Sequence, residues 1–157
     1  MIARNHIIGI VAGAVLIVAT ITGALLIGRE APHSSPEAVV HRLLEVYFTA
    51  GEGDASQLLD LVDPQALEEI KQYWVVEMDE VREMIQADLD EIQQEIEMGA
   101  SISFEVGNTV LQNGDALTMV TITFSHPEHG GEEFTDSIFI PTIKRDGRWY
   151  LEDLIWW

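Results

Sequence analysis

Residues Ile7 to Ile27 form an unbroken run of 21 residues without a charge or a proline. As a helix rising about 1.5 Å per residue, the run spans roughly 31 Å, the thickness of a bilayer's hydrocarbon core. A cleaved signal peptide has a shorter apolar stretch and a small-x-small cleavage site. The residues after Gly28 read Arg29-Glu30-Ala31-Pro32, a poor context for cleavage. The expectation is therefore a single-pass signal-anchor, with a tail and transmembrane helix over residues 1–28, a linker over 29–34 and a soluble domain over 35–157. Arg4 lies on one side of the run and Arg29 and Arg42 on the other, so the positive-inside count does not fix orientation. Gly9 and Gly13 form a Gly-x-x-x-Gly, with Ala19 and Gly23 repeating the small spacing. Such pairs let two membrane helices approach closely, although glycine and alanine are also simply common in membrane helices.

The remaining 123 residues from Ser35 are enough to bury a core without covalent staples. Cysteine is absent, which excludes disulfides, thiol nucleophiles and thiolate metal sites. Net charge is −19, and all 27 acidic residues follow the apolar run, beginning at Glu30. That field repels nucleic acid and anionic headgroups, so neither is an expected partner of the domain.

Ser35-Pro36 reads as a helix start, a capping hydroxyl followed by proline at the first helical position. Val40, Leu43, Leu44, Tyr47 and Phe48 make one apolar stripe, with His41 beside it, and Gly51 closes the helix. Asp54 opens a short second helix carrying Leu58, Leu59, Leu61 and Val62. Asp63-Pro64 opens a third that runs to about Met98. Its apolar positions, Ile70, Trp74, Met78, Val81, Ile85, Leu89, Ile92 and Ile96, keep an eleven-residue repeat that holds one stripe on a straight helix. Val75-Val76 is the place for a break. The acidic back of this helix faces solvent, or its stripe pairs with a second chain as a coiled coil.

After Gly99 the period becomes two. Strands are expected over Ile102–Leu111, Ala116–Ser125, Glu133–Lys144 and Arg148–Trp156, with tight turns at Asn113-Gly114 and Asp146-Gly147. An unbroken first hairpin would set Phe104 against Thr123 and Val106 against Thr121, apolar against polar. A bulge at Gly107-Asn108 removes the conflict, and it is predicted here. The fold class is α+β: three helices packed on a curved four-stranded antiparallel sheet.

The order of these parts carries a resemblance. Ser35-Pro36-Glu37-Ala38-Val39-Val40 opens a helix, Gly51-Glu52-Gly53-Asp54 leads to the next, Asp63-Pro64 follows a leucine-rich turn, and hairpins close on Asp146-Gly147-Arg148-Trp149-Tyr150-Leu151. Over about residues 35–155 the chain resembles the small extracytoplasmic domains of unknown function in the nuclear-transport-factor-2-like (cystatin-like) superfamily. The resemblance implies a cone in which a curved sheet wraps a long helix and leaves a pocket at the wide end. It also implies an outward-facing domain, in a superfamily that holds isomerases such as ketosteroid isomerase beside binding and structural domains. The long acidic helix departs from that pattern.

Asp136 and Asp153 are the best site candidates. The expected register puts them on one sheet face with Phe134, Ile138, Trp149, Leu151 and Ile155, while Tyr47 lines the same space from the first helix. A carboxylate on an apolar concave face has a raised pKa and can act as a base. The pair stands on the order of 10 Å apart, too far to share a proton. The plain alternative is a pair of acids at the open rim. His126-Pro127-Glu128-His129 offers metal-ligand types but sits in a glycine-rich turn without a remote ligand, so no metal and no cofactor are expected. Phosphate-cradling loops, Gly-x-Ser-x-Gly and basic stripes are absent. The leading expectation is a membrane-anchored, non-enzymatic binding or assembly domain, joined to partners or to itself through the anchor or the 64–98 helix. The rivals are an isomerase- or hydratase-type pocket enzyme using one of the acids, and a subunit of a larger membrane or cell-surface assembly.

Overall fold

The computed structural model describes residues 31–49, 51, 53–74, 76–127 and 130–154. The apolar run over 7–27, with Gly9 and Gly13, lies outside them. Among the described residues no helix is long and apolar enough to cross a membrane.

Four helices precede four strands: α1 (Pro36–Phe48), α2 (Ala55–Leu59), α3 (Pro64–Trp74), α4 (Met78–Glu97), then β1 (Ser101–Gln112), β2 (Asp115–Ser125), β3 (Phe134–Arg145) and β4 (Arg148–Leu151). The strands form one antiparallel sheet in sequence order. Helix α1 starts as its sequence requires, with the Ser35 hydroxyl accepting the Ala38 N–H at 3.1 Å and Pro36 at the first helical position.

The stretch over residues 64–98 is two helices, α3 ending at Trp74 and α4 starting at Met78, on either side of the break point noted at Val75-Val76. Glu77 sits in extended backbone and α4 begins afresh after it, with the Glu77 N–H held by the Glu80 carboxylate at 3.0 Å. Val81, Ile85, Leu89 and Ile92 of α4 are buried in the chain's own core. These four positions of the stripe face α1 and α2 of the same molecule.

The bulge lies where the polar-apolar conflict placed it. Pairing shifts between Val106 and Thr109, which brings Phe104 opposite Ile122 and Ile102 opposite Phe124. Gly107 lies at the bulge close against Met119, whose Cε is 2.9 Å and whose carbonyl oxygen is 3.4 Å from where a Cβ would stand.

Strand β4 is shorter than the alternation suggested. It ends at Leu151, and Glu152 and Asp153 leave the ladder in a bend. Its outer edge is covered by two stretches of chain. The Trp149 N–H donates to the His33 carbonyl at 3.1 Å, the Leu151 N–H donates to the Leu61 carbonyl at 2.8 Å, and the Asp63 N–H donates to the Leu151 carbonyl at 2.9 Å. His33 also sets its Nδ1 2.6 Å from the Trp149 carbonyl oxygen and its ring against Tyr150. The stretch expected as a free linker thus ends as part of the folded body, because it closes an otherwise bare strand edge.

Candidate functional site

The concave face of the sheet is where a cone-shaped fold would hold a pocket, and α1 fills it. Helix α1 packs against all four strands. Val39, Val40, Leu43, Leu44 and Val46 are wholly buried and join Val120, Phe124, Ile140, Trp149 and Leu151 in one core. Three of the residues expected to line a pocket, Tyr47, Trp149 and Leu151, are therefore core side chains. Burial pushes the Tyr47 phenol above its ordinary range, and the charge of Asp88 adds to the effect. Ile138 is partly buried against the core, Phe134 is half-exposed at the open end of β3, and Ile155 lies outside the described residues.

The structure does not bring the two candidate acids together. Asp136 stands opposite Ile122 on the concave side but is exposed, and its Oδ1 accepts the N–H of Ser137 at 2.7 Å. Asp153 is exposed beyond the end of β4, and its Oδ1 accepts the N–H of Leu154 at 2.7 Å. Asp153 has no ladder partner on β3, because the ladder stops at Leu151. Each carboxylate is exposed and occupied with the backbone of the next residue.

Asp153 instead borders an open groove of about 880 Å³ between α3 and the chain leaving β4. Ala66, Ile70 and Pro141 supply its apolar surface, and Glu69, Glu152 and Asp153 its charge. Gln72 and Tyr73 complete the lining, with Tyr73 86% exposed at the rim. Helix α3 is held over this region by Asp63, whose buried carboxylate receives Arg145 Nε at 3.1 Å and the Gln65 N–H at 3.3 Å. Asp136 is not part of the lining.

The turn histidines divide. His126 is buried, with Nε2 at 3.7 Å from the Glu95 carboxylate of α4, and His129 lies outside the described residues. Among the described residues no three histidine or carboxylate side chains converge as metal ligands.

The groove is a feature that sequence reasoning did not find, since the positions on α3 that line it have no motif. One signal was present. Proline inside a strand lacks the ladder N–H and is confined to an edge or a bulge, so Pro141 already marked β3 as unpaired on one side.

No family model and no curated protein matches the chain. Among solved structures it is similar to a Campylobacter jejuni protein provisionally named an NTF2-like transpeptidase, at 14% identity and a TM-score of 0.51, over 76% of this chain and 98% of that one. A designed NTF2 chain aligns at 16% identity and a TM-score of 0.43, over 73% of this chain and 90% of that one. The intermembrane space region of the chloroplast protein ARC6 aligns at 12% identity and a TM-score of 0.33, over 74% and 89%. The first of these likenesses, together with the four-stranded antiparallel sheet packed by α1, gives this chain the nuclear-transport-factor-2-like fold.

Proposed function

We propose that the chain is a membrane-anchored, outward-facing domain that binds or assembles rather than catalyses. The observation that carries this reading is the filled inner face of the sheet: Trp149 and Leu151, expected to line a substrate pocket, lie in one core with Tyr47 and the other apolar side chains of α1. Pocket enzymes need an enclosed site with polar groups of tuned pKa. The two sheet acids are exposed, separate and bonded to their own backbone. The anchoring half of the reading rests on the uncharged run over 7–27.

The test uses the full chain in its host membrane. It is expected to sediment with membranes and resist an alkaline carbonate wash, and to lose both properties when Val15, Leu16 and Ile17 are replaced by aspartate. In detergent, apolar ligands of steroid or aromatic type are expected to leave the melting temperature unchanged, because a ligand stabilises only in proportion to occupancy of the folded state. A ligand that raised it by several degrees, with the effect lost in Asp136→Asn or Asp153→Asn, would replace this reading with the enzyme one. Crosslinking through cysteines introduced at Gly9 and Gly13 reads out self-association, and loss of all crosslinked species would leave a lone anchor.

A further inference from the structure

The edge of β3 remote from β2 carries β4 only over Thr142–Arg145. The Pro141 carbonyl accepts the Glu152 N–H at 3.2 Å, so the backbone of Pro141 points to this edge. Backbone direction alternates along a strand, and β3 pairs with β2 without a bulge from Phe134 to Ile143. The N–H and C=O groups of Thr135, Ser137 and Phe139 therefore point the same way. Among the described residues no backbone group meets them. All three residues are exposed.

Two carboxylates manage this edge. Asp136 holds the Ser137 N–H, and Asp153 holds the Leu154 N–H, the next donor that a continuing β4 would have turned towards Phe139. An unpaired edge is a template for another strand, and charge is a usual guard against indiscriminate pairing. Here the guard has one sign. The groove that opens beside Pro141 adds Glu69 and Glu152 to Asp153, above a floor of Ala66, Ile70 and Pro141. The far edge, on β1, is disrupted by the bulge at Gly107-Asn108 and is a poorer template.

We propose that the β3 edge from Thr135 to Phe139, together with the adjoining groove, docks an extended polypeptide bearing lysine or arginine, by strand addition. The backbone of the incoming strand meets the N–H and C=O groups of Thr135 and Phe139 and the carbonyl of Ser137, whose N–H stays with Asp136. Its apolar side chains reach Ile70 and Pro141, and its cations meet Asp136, Glu152 and Asp153. Strand addition takes affinity from main-chain hydrogen bonds and specificity from side-chain positions at alternate residues. An acidic strand is rejected by the carboxylates, as is a second copy of this chain's own β3, which brings Asp136 and no cation over that stretch. The proposal rests on the binding reading above and names the partner's chemistry.

The probe is a fluorescent eight-residue peptide of alternating lysine and valine, titrated into the full chain in zwitterionic nanodiscs. Controls are the same peptide with glutamate for lysine, and the lysine peptide methylated on alternate backbone nitrogens. The lysine peptide is expected to bind, and both controls to bind at least about tenfold more weakly. Phe139→Pro removes an edge donor at a position equivalent in direction to Pro141, and is expected to weaken binding about tenfold while the melting temperature holds within a few degrees. Should that variant fail to fold, the exposed pair Glu152→Lys and Asp153→Lys gives the same loss without touching the ladder. Equal binding of the methylated peptide would reduce the contact to bulk charge and overturn the site, as would no binding of the lysine peptide. Either result removes this site alone, since the assembly reading is decided by sedimentation and crosslinking of the anchored chain.

Discussion

Thr142 is wholly buried on the inner face of β3, and its Oγ1 has no hydrogen-bond partner among the described residues. Its neighbour Thr118 is equally buried but shares a 2.9 Å hydroxyl contact with Thr109. A buried hydroxyl without a partner costs about 1–3 kcal/mol, whereas replacing it by an isosteric methyl removes the cost. Thr142→Val is therefore expected to raise stability by about 1 kcal/mol, and Thr118→Val to lower it by a similar amount, in chemical denaturation of the full chain. Tyr47 supplies a pH prediction of definite sign. Burial raises its phenol above the ordinary value of 10.0, so the folded state keeps the proton that the unfolded state releases. The corresponding stability is fully present below the unfolded pKa and is lost as pH rises beyond it. Stability should fall steeply above about pH 10, and Tyr47→Phe should flatten that fall. An unchanged slope in the variant would remove Tyr47 from the account.

At the scale of elements, α4 does more than cover the core. Gln86 donates from Nε2 to the Gly53 carbonyl at 3.1 Å and accepts the Ala55 N–H at 3.1 Å, and Gln93 accepts the Gly51 N–H at 3.2 Å. These two side chains fasten the connection between α1 and α2. Gln86→Leu leaves a donor and an acceptor unmet and should cost about 1–2 kcal/mol, with faster amide exchange at Ala55. The exposed Gln94→Ala should change neither. None of this was legible in the sequence, because the glutamines lie off the apolar stripe and their partners are backbone groups 31 to 42 residues away. What was legible came from local conflicts. The bulge followed from two incompatible registers, and the α1 cap from Ser35-Pro36. The end of β4 was missed because Glu152 and Asp153 satisfy the alternation of a strand, while the carboxylate of Asp153 diverts the Leu154 N–H from the ladder. The same limit applies to the candidate acids. Strand parity put Asp136 on the concave side, but parity carries no information on how far α1 fills that side.

The whole molecule is shaped by a charge it cannot balance internally. Six lysines and arginines fall among the described residues, and each is already engaged. Arg42, Lys71, Arg82 and Arg145 face Glu45, Glu68, Asp79 and Asp63, while Lys144 and Arg148 lie over the rings of Trp149 and Tyr150. The acids of the chain, 27 in all, far outnumber these cations. Exposed ion pairs are worth about 0–1 kcal/mol each, so the few present do not offset the summed repulsion of a compact polyanion. Salt should therefore stabilise this domain. The screening length falls from about 30 Å at 0.01 M to about 3 Å at 1 M, which suppresses repulsion between scattered surface carboxylates before it weakens contacts such as Asp63–Arg145, whose acid is buried. Raising sodium chloride from about 0.02 M to 0.5 M is expected to lift the melting temperature by several degrees. Glu83→Lys or Glu91→Lys, each reversing an exposed charge on α4, should lift it at low salt and reduce the further gain from salt. A melting temperature that fell with salt would mean that attraction across the few ion pairs outweighs repulsion. The same field explains why a partner strand must be cationic, since any chain approaching the β3 edge first meets the potential of the entire domain and only then its hydrogen bonds.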